Sequence, residues 1–290
     1  MNALSINNLN LTYPNGFQAV KDISLEITNG MFGLLGPNGA GKSSLMKTIV
    51  GLQKPTSGTL FFNEVDLIKN PDYIKKNLGF LPQDFGVYPK ISAYDLLEHI
   101  AILKGITNAS QRKDQIRSLL DKVNLSGFAK KEVHTFSGGM KQRFGVAQAL
   151  LGNPKIIIAD EPTAGLDPEE RNRFNTLLSE ISRDVIVILS THLVEDVRNL
   201  CSEMAVINNG QILRKGNPGK LITELEQKIW SKSIDKQELE NYSSRYEIIS
   251  RQLVERALHI TVFSEETLQD FTPVNPLLEH VYFHSLTQTP

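Results

Sequence analysis

Gly36-Pro37-Asn38-Gly39-Ala40-Gly41-Lys42-Ser43 has the residue types and spacing needed to grip a chain of phosphates. It fits GxxxxGKS at every fixed position, and Ser44 extends it by a second hydroxyl. The glycines let the backbone wrap closely, so that successive N–H groups point at phosphate oxygens at a helix N-terminus. Lys42 then reaches the β- and γ-phosphates, and Ser43 holds Mg²⁺. The flanks agree: residues 31–35 read as an apolar strand, and Leu45, Met46, Ile49 and Val50 share one helical face, with Gly51 as the stop.

A second group of candidates stands at strand ends. Residues 156–159 form a short, wholly apolar run of the kind buried on both faces of a parallel sheet, and Asp160 and Glu161 follow directly. Ligands of open α/β sheets sit beyond the carboxyl ends of strands, so both acids are expected in the crevice of the phosphate loop. Asp160 suits support of Mg²⁺, and Glu161 suits orienting and deprotonating water. Adjacent acids more often mark a solvated turn; four preceding apolar residues in a chain with a phosphate loop weigh against that. Residues 185–189 form the next buried strand, and Ser190-Thr191-His192 places His192 on the same edge.

Two further stretches start helices. Ser137 is a good N-cap, and Ser137-Gly138-Gly139 leaves backbone donors free with little side-chain bulk, so it can also receive an anion. Asp167-Pro168-Glu169-Glu170 is explained locally as an N-cap, a first-turn proline and acids favoured by the helix dipole.

These residues need a scaffold, and its elements are readable. Leu4, Ile6, Leu9 and Leu11, then Ile23, Leu25 and Ile27, alternate as two strands of an antiparallel sheet broken by Pro14-Asn15-Gly16, with Tyr13 at the strand end. Residues 59–65 and 78–81 read as strands, the latter leading into Pro82-Gln83. Helical patterns then run to about residue 150. Ser92 caps one carrying Leu96, Leu97 and Ile100 that stops at Gly105, a second presents Ile116, Leu119, Leu120 and Val123, and a third follows Ser137 with Phe144, Ala147 and Leu150 inward. After Gly216 the chain reads as strand 228–234, short helix 236–245, strands 246–253 and 258–263, and a closing helix over 275–286: a small α+β appendage without clustered metal ligands, for which packing or regulation is the default role.

Composition narrows the class. A chain of 290 residues with 40% hydrophobic content has a substantial core, and its formal charge of −1 offers no basic field for nucleic acid. Cys201 is the only cysteine, which excludes an internal disulfide framework and suits a reducing compartment. No apolar run approaches the roughly 20 residues of a bilayer span, and no signal segment opens the chain, so the polypeptide is not expected to cross a membrane by itself.

Taken together, the landmarks over residues 1–216 resemble the ATP-binding subunit of an ABC transporter. Tyr13 resembles the adenine-stacking aromatic, Gly36 to Ser43 the Walker A loop, and Gln83 the Q-loop, which contacts Mg²⁺ and water. Ser137-Gly138-Gly139-Met140-Lys141-Gln142 resembles the signature motif, residues 156–160 with Glu161 the Walker B strand and catalytic glutamate, Gly165-Leu166-Asp167 the D-loop, and His192 the switch histidine. The commonest signature is Leu-Ser-Gly-Gly-Gln; here Phe136 and Met140 stand at its ends, as in many bacterial export-type ATPases. The tail 276–283 resembles that of drug- and polysaccharide-type exporter ATPases.

The resemblance implies an α/β P-loop NTPase with a mixed core sheet, an antiparallel β subdomain, a helical subdomain at about 84–150, and an accessory unit at 217–290. It also implies ATP and Mg²⁺ as cofactors, ATP hydrolysis, and a homodimer or heterodimer in which each ATP lies between Walker A of one subunit and the signature of the other, with Asp167 at the interface. The remaining partner implied is a multi-span membrane permease, placing the chain at the cytoplasmic face of the membrane. Alternatives are an importer ATPase, or an ABC ATPase acting on ribosomes or DNA; members of that last class usually carry two cassettes or a long coiled coil, and no heptad run lies between Ser43 and Ser137.

Overall fold

The computed structural model describes residues 2–82, 86, 90–254 and 257–288. Strand β1 (Ala3–Thr12) pairs antiparallel with β2 (Gln18–Thr28), with Leu4 opposite Ile27 and Ile6 opposite Leu25. The alternation read in the sequence is therefore the buried face of this ribbon. Its turn closes by a bond from Gly16 N–H to the Tyr13 carbonyl, 2.9 Å. Strand β3 (Gly30–Leu35) enters the core sheet and delivers the chain to the phosphate loop and helix α1 (Lys42–Ile49).

One expected strand is split. Residues 59–65 do not form a single strand: β4 (Ser57–Phe62) ends at Asn63, and β5 (Val65–Asp66) folds back on it, Phe62 opposite Val65. The cause is Asn63, whose left-handed backbone (φ 55°) makes the turn and whose side-chain oxygen accepts from Ala3 N–H at 2.9 Å. These strands form an antiparallel sheet in the order β2-β1-β4-β5.

A short helix, α2 (Pro71–Asn77), leads into β6 (Leu78–Leu81). Helices α3 (Ala93–Leu103), α4 (Ala109–Lys122) and α5 (Gly138–Leu150) follow, and the anticipated caps are present. Ser92 Oγ accepts from Asp95 N–H at 3.1 Å and Ser137 Oγ from Met140 N–H at 3.2 Å.

The chain then alternates through β7 (Ile156–Asp160), α6 (Pro168–Ile181), β8 (Ile186–Thr191), α7 (Val194–Leu200), β9 (Glu203–Asn208) and β10 (Gln211–Gly216). The core sheet has the order β10-β9-β3-β8-β7-β6. Its strands run parallel except β10, which returns antiparallel on β9 through Asn209 and Gly210, both left-handed. With β3 flanked by β8 and β9, the phosphate loop leaves the middle of the sheet, and the ends of β7 and β8 lie on the same side.

Beyond residue 216, α8 (Pro218–Thr223) precedes β11 (Ile229–Ile234), α9 (Leu239–Ser243), β12 (Glu247–Val254), β13 (Ala257–Phe263), β14 (Thr272–Pro273) and α10 (Leu278–Thr287). The strands make a third, antiparallel sheet, β12-β13-β11-β14. The expected helix 236–245 is shorter, a 3₁₀ turn at Lys236–Glu238 preceding α9. One face of this sheet has its own small core around Trp230, Ile260, Val262 and Phe271. Ile229, Ile249, Leu278, Val281 and Tyr282 instead join the large cluster that runs under the core sheet to Leu81 and Phe144.

Candidate nucleotide site

The phosphate loop is shaped by close approach. Gly41, the residue that caps α1, is left-handed (φ 105°), and a Cβ there would lie 2.5 Å from the Ala19 carbonyl oxygen, so only glycine fits. Asn38 to Ser44 line one cavity together with Phe17, Ala19, Asp160 and Glu161. The structure thus brings the two strand-end acids to the phosphate loop, as their position after β7 predicts.

Lys42 is buried, and its Nζ donates to the carbonyl oxygens of Gly36 (2.6 Å) and Pro37 (3.1 Å). Gly36 and Pro37 therefore hold the lysine head from the wall behind the cavity. Burial lowers the Lys42 pKa, and the charges of Glu161 and Asp160 oppose that shift. Burial raises the Asp160 pKa, and the neighbouring Glu161 charge adds to it. A dense set of opposite charges waits at the base of the loop.

Glu161 sits at a backbone turn in the left-handed region (φ 45°), and its N–H donates to the Ser190 carbonyl at 2.8 Å. This conformation turns its side chain out of the β7 direction toward His192, whose Nδ1 lies 3.0 Å from Glu161 Oε1. The glutamate side chain is 14% exposed and the histidine 44%, so the imidazole is the outer member of the pair; Glu161 lines the cavity and His192 does not.

Other expected residues fall elsewhere. Tyr13 is not among the side chains lining the cavity: it packs against the β1–β2 core, and its hydroxyl lies 3.1 Å from Ser44 Oγ. Phe17, 59% exposed, is the aromatic side chain that lines the cavity. Sequence reading missed it; the signal was a large apolar residue directly after the Pro14-Asn15-Gly16 turn, where the chain must pass over the loop. Ser137 and Gly138 are exposed at the start of α5 and stand apart from this cavity, while Asp167 is exposed and caps α6, accepting from Glu170 N–H at 2.9 Å. Phe136 is buried edge-on against Phe144, centroids 6.0 Å apart, and Met140 is half-buried. Gln83 lies outside the described residues.

Comparison with known proteins decides the family. The model of the ABC transporter family matches residues 20–164. An ABC transporter ATP-binding protein of Bacillus subtilis, YxlF, is 35% identical over 242 residues, covering 82% of this chain and 79% of that protein. The chain belongs to the ABC transporter family.

It is also 36% identical over 223 residues to the methionine import ATP-binding protein MetN of Helicobacter hepaticus, and 38% identical over 207 residues to ABC transporter A family member 8 of Dictyostelium discoideum. It spans 63% of the former and 25% of the latter, against 74% and 71% of its own length. Among solved structures, the dimeric ABC transporter cassette MJ0796 superposes with a TM-score of 0.65 at 27% identity, covering 74% of this chain and 98% of that one. A second structure of that cassette, also dimeric, is a post-hydrolysis state with ADP and Pi (TM-score 0.65, 28% identity, 74% and 98% covered). The fold is thus the ABC ATPase cassette, and no described helix is long and apolar enough to cross a membrane.

Proposed function

We propose that this cassette hydrolyses ATP and that two copies, or this chain and a related cassette, close around two nucleotides to drive transport through a separate multi-span permease. One observation carries the reading: the phosphate loop, Asp160 and Glu161 share a single cavity, while the anion-ready helix start at Ser137 and Gly138 faces solvent away from it. One chain therefore holds two complementary halves of a site. A head-to-tail partner supplies the missing half, with Asp167 at the joint; that MJ0796 is a dimeric cassette supports pairing of two cassettes.

Within the site, Lys42 exchanges the Gly36 and Pro37 carbonyls for β- and γ-phosphate oxygens. Ser43 and Asp160 offer a hydroxyl and a carboxylate on the same cavity, a donor set that fits Mg²⁺ together with phosphate oxygens. Bound there, the ion neutralises charge on the transferring phosphoryl group. Glu161 takes the proton of the attacking water, and His192 bridges Glu161 and the γ-phosphate. Gly39, Ala40 and Gly41 supply backbone donors, Asn38 closes the loop, and Ser44 meets the α-phosphate side. The base lies against Phe17 and Ala19, with Tyr13 bracing Ser44 from behind.

Export is the direction favoured, on the Phe136 and Met140 signature and the exporter-like tail; import is the second reading, favoured by the likeness to MetN. The chain then works at the cytoplasmic face of the membrane, with residues 217–290 as an accessory unit. Purification from detergent extract should yield a stable complex with a multi-span hydrophobic protein, and reconstitution in vesicles should show ATP-dependent movement of solute. Association with ribosomes or DNA in place of a membrane protein overturns the transport reading.

A further inference from the structure

Three segments bearing site residues are fastened to one buried carboxylate. Asp196, on α7, is fully enclosed. Its Oδ2 accepts from Thr163 Oγ1 at 2.6 Å, and its Oδ1 accepts from Arg171 Nε at 2.8 Å and Nη2 at 2.6 Å. Arg171 Nη1 also donates to Glu195 Oε2 at 3.2 Å.

The positions of these partners give the cluster its meaning. Thr163 lies two residues after Glu161, in a tight loop closed by Ala164 N–H to the Glu161 carbonyl (3.1 Å) and Leu166 N–H to the Thr163 carbonyl (3.3 Å). Arg171 stands in the first turns of α6 and donates its own N–H to the carbonyl of the cap residue Asp167 at 2.9 Å. Asp196 is four residues beyond His192, at the start of α7. Glu161 itself is held in a left-handed backbone that flanking contacts must enforce. A lone buried carboxylate is unfavourable, and three donors from two other segments compensate it only in this one arrangement.

We propose that Asp196, with Thr163 and Arg171, is a positioning device that fixes Glu161, Asp167 and His192 relative to one another, so that the catalytic carboxylate, its histidine and the dimer-facing loop move as one body. The inference rests on the ATPase reading above. None of the three residues lines the nucleotide cavity, so their loss acts on turnover and leaves ground-state binding in place.

The test is a pair of variants, Thr163→Val and Thr163→Ser, followed by steady-state ATPase kinetics, affinity for a fluorescent ATP analogue and thermal melting. Thr163→Val loses the hydroxyl donated to Asp196 and should lower kcat about tenfold or more, with KM and nucleotide affinity within about twofold and a melting temperature lowered by a few degrees that Thr163→Ser recovers. Thr163→Ser restores the donor and should return most of kcat. Asp196→Asn, if it folds, should cost more than Thr163→Val, because the Arg171 pairing goes too. A wild-type kcat in Thr163→Val overturns the proposal, as does a joint fall of kcat, affinity and melting temperature in Thr163→Val and Thr163→Ser alike. Wild-type protein and Glu161→Gln run alongside: a wild type that does not hydrolyse ATP removes the ATPase reading itself.

Discussion

Replacing Glu161 by glutamine separates binding from hydrolysis at this site. Oε1 of Glu161 faces His192 Nδ1 at 3.0 Å, and the side chain is largely shielded. Glutamine has the same shape and can keep a carbonyl oxygen at that point, so a His192 N–H still finds its acceptor and the loop has no reason to move. What disappears is the base. A positioned general base contributes about 10²- to 10⁴-fold, which at 1.36 kcal/mol per decade is roughly 3–5 kcal/mol of barrier. Ground-state binding should hold or tighten, because Glu161 and Asp160 place two acids beside the Lys42 that must meet a polyanion, and the variant removes one of them. The combination predicts ATP bound, hydrolysis slowed by at least about a hundredfold, and a closed dimer that accumulates. Single-turnover phosphate release measures the hydrolysis, and gel filtration with Mg²⁺ and ATP measures the dimer. Turnover within about tenfold of wild type would mean that another group takes the proton, and the assignment of Glu161 would be wrong.

Phe17→Ala should weaken ATP binding by about 1–3 kcal/mol if the base stacks on that ring, whereas Tyr13→Phe, which loses only the Ser44 contact, should cost well under 1 kcal/mol; titration with a fluorescent ATP analogue ranks them. Asp160→Asn should raise the melting temperature of the nucleotide-free protein at pH 7, by about 2–4 °C for each kcal/mol relieved, while abolishing Mg²⁺-dependent turnover. The sign follows from the raised Asp160 pKa: the folded state disfavours the ionised form, so the gain is present above that pKa and shrinks as the pH falls through it and the wild-type carboxyl becomes neutral too. Cys201 is buried with its thiol pushed up to about 12, so a thiol reagent at pH 8 should label the native chain only at the rate of unfolding and the denatured chain at once.

The parts most legible in the sequence were those where one residue type has one physical use. Gly41 and Lys42 declare a loop around phosphate, the 156–159 run declares a strand buried on both faces, and Ser92, Ser137 and Asp167 declare helix starts that the structure shows with the expected cap bonds. Less legible were places where one residue redirects the chain. Asn63 cut an apparent strand in two, because its neighbours carry β-forming residues on both sides of the turn. The Asn209-Gly210 turn between β9 and β10 is a hairpin signal set among polar residues, without a long alternating run on either side to frame it. The site shows the same division. Lys42, Ser43, Asp160 and Glu161 converge as their positions imply, but the place of Phe17 on the cavity wall depends on how a turn projects over the loop. The Asp196 cluster is a contact between segments distant in sequence, and no local pattern encodes it.

The sharing of one apolar cluster by α10 and the cassette has a consequence for how the polypeptide melts. Leu278, Val281 and Tyr282 lie in the same cluster as Phe144 and Leu81, so trimming the chain after β10 would lay bare a greasy underside rather than release a self-contained module. Calorimetry should accordingly register a single endotherm for the intact protein, and shortened versions should clump before they can be assayed.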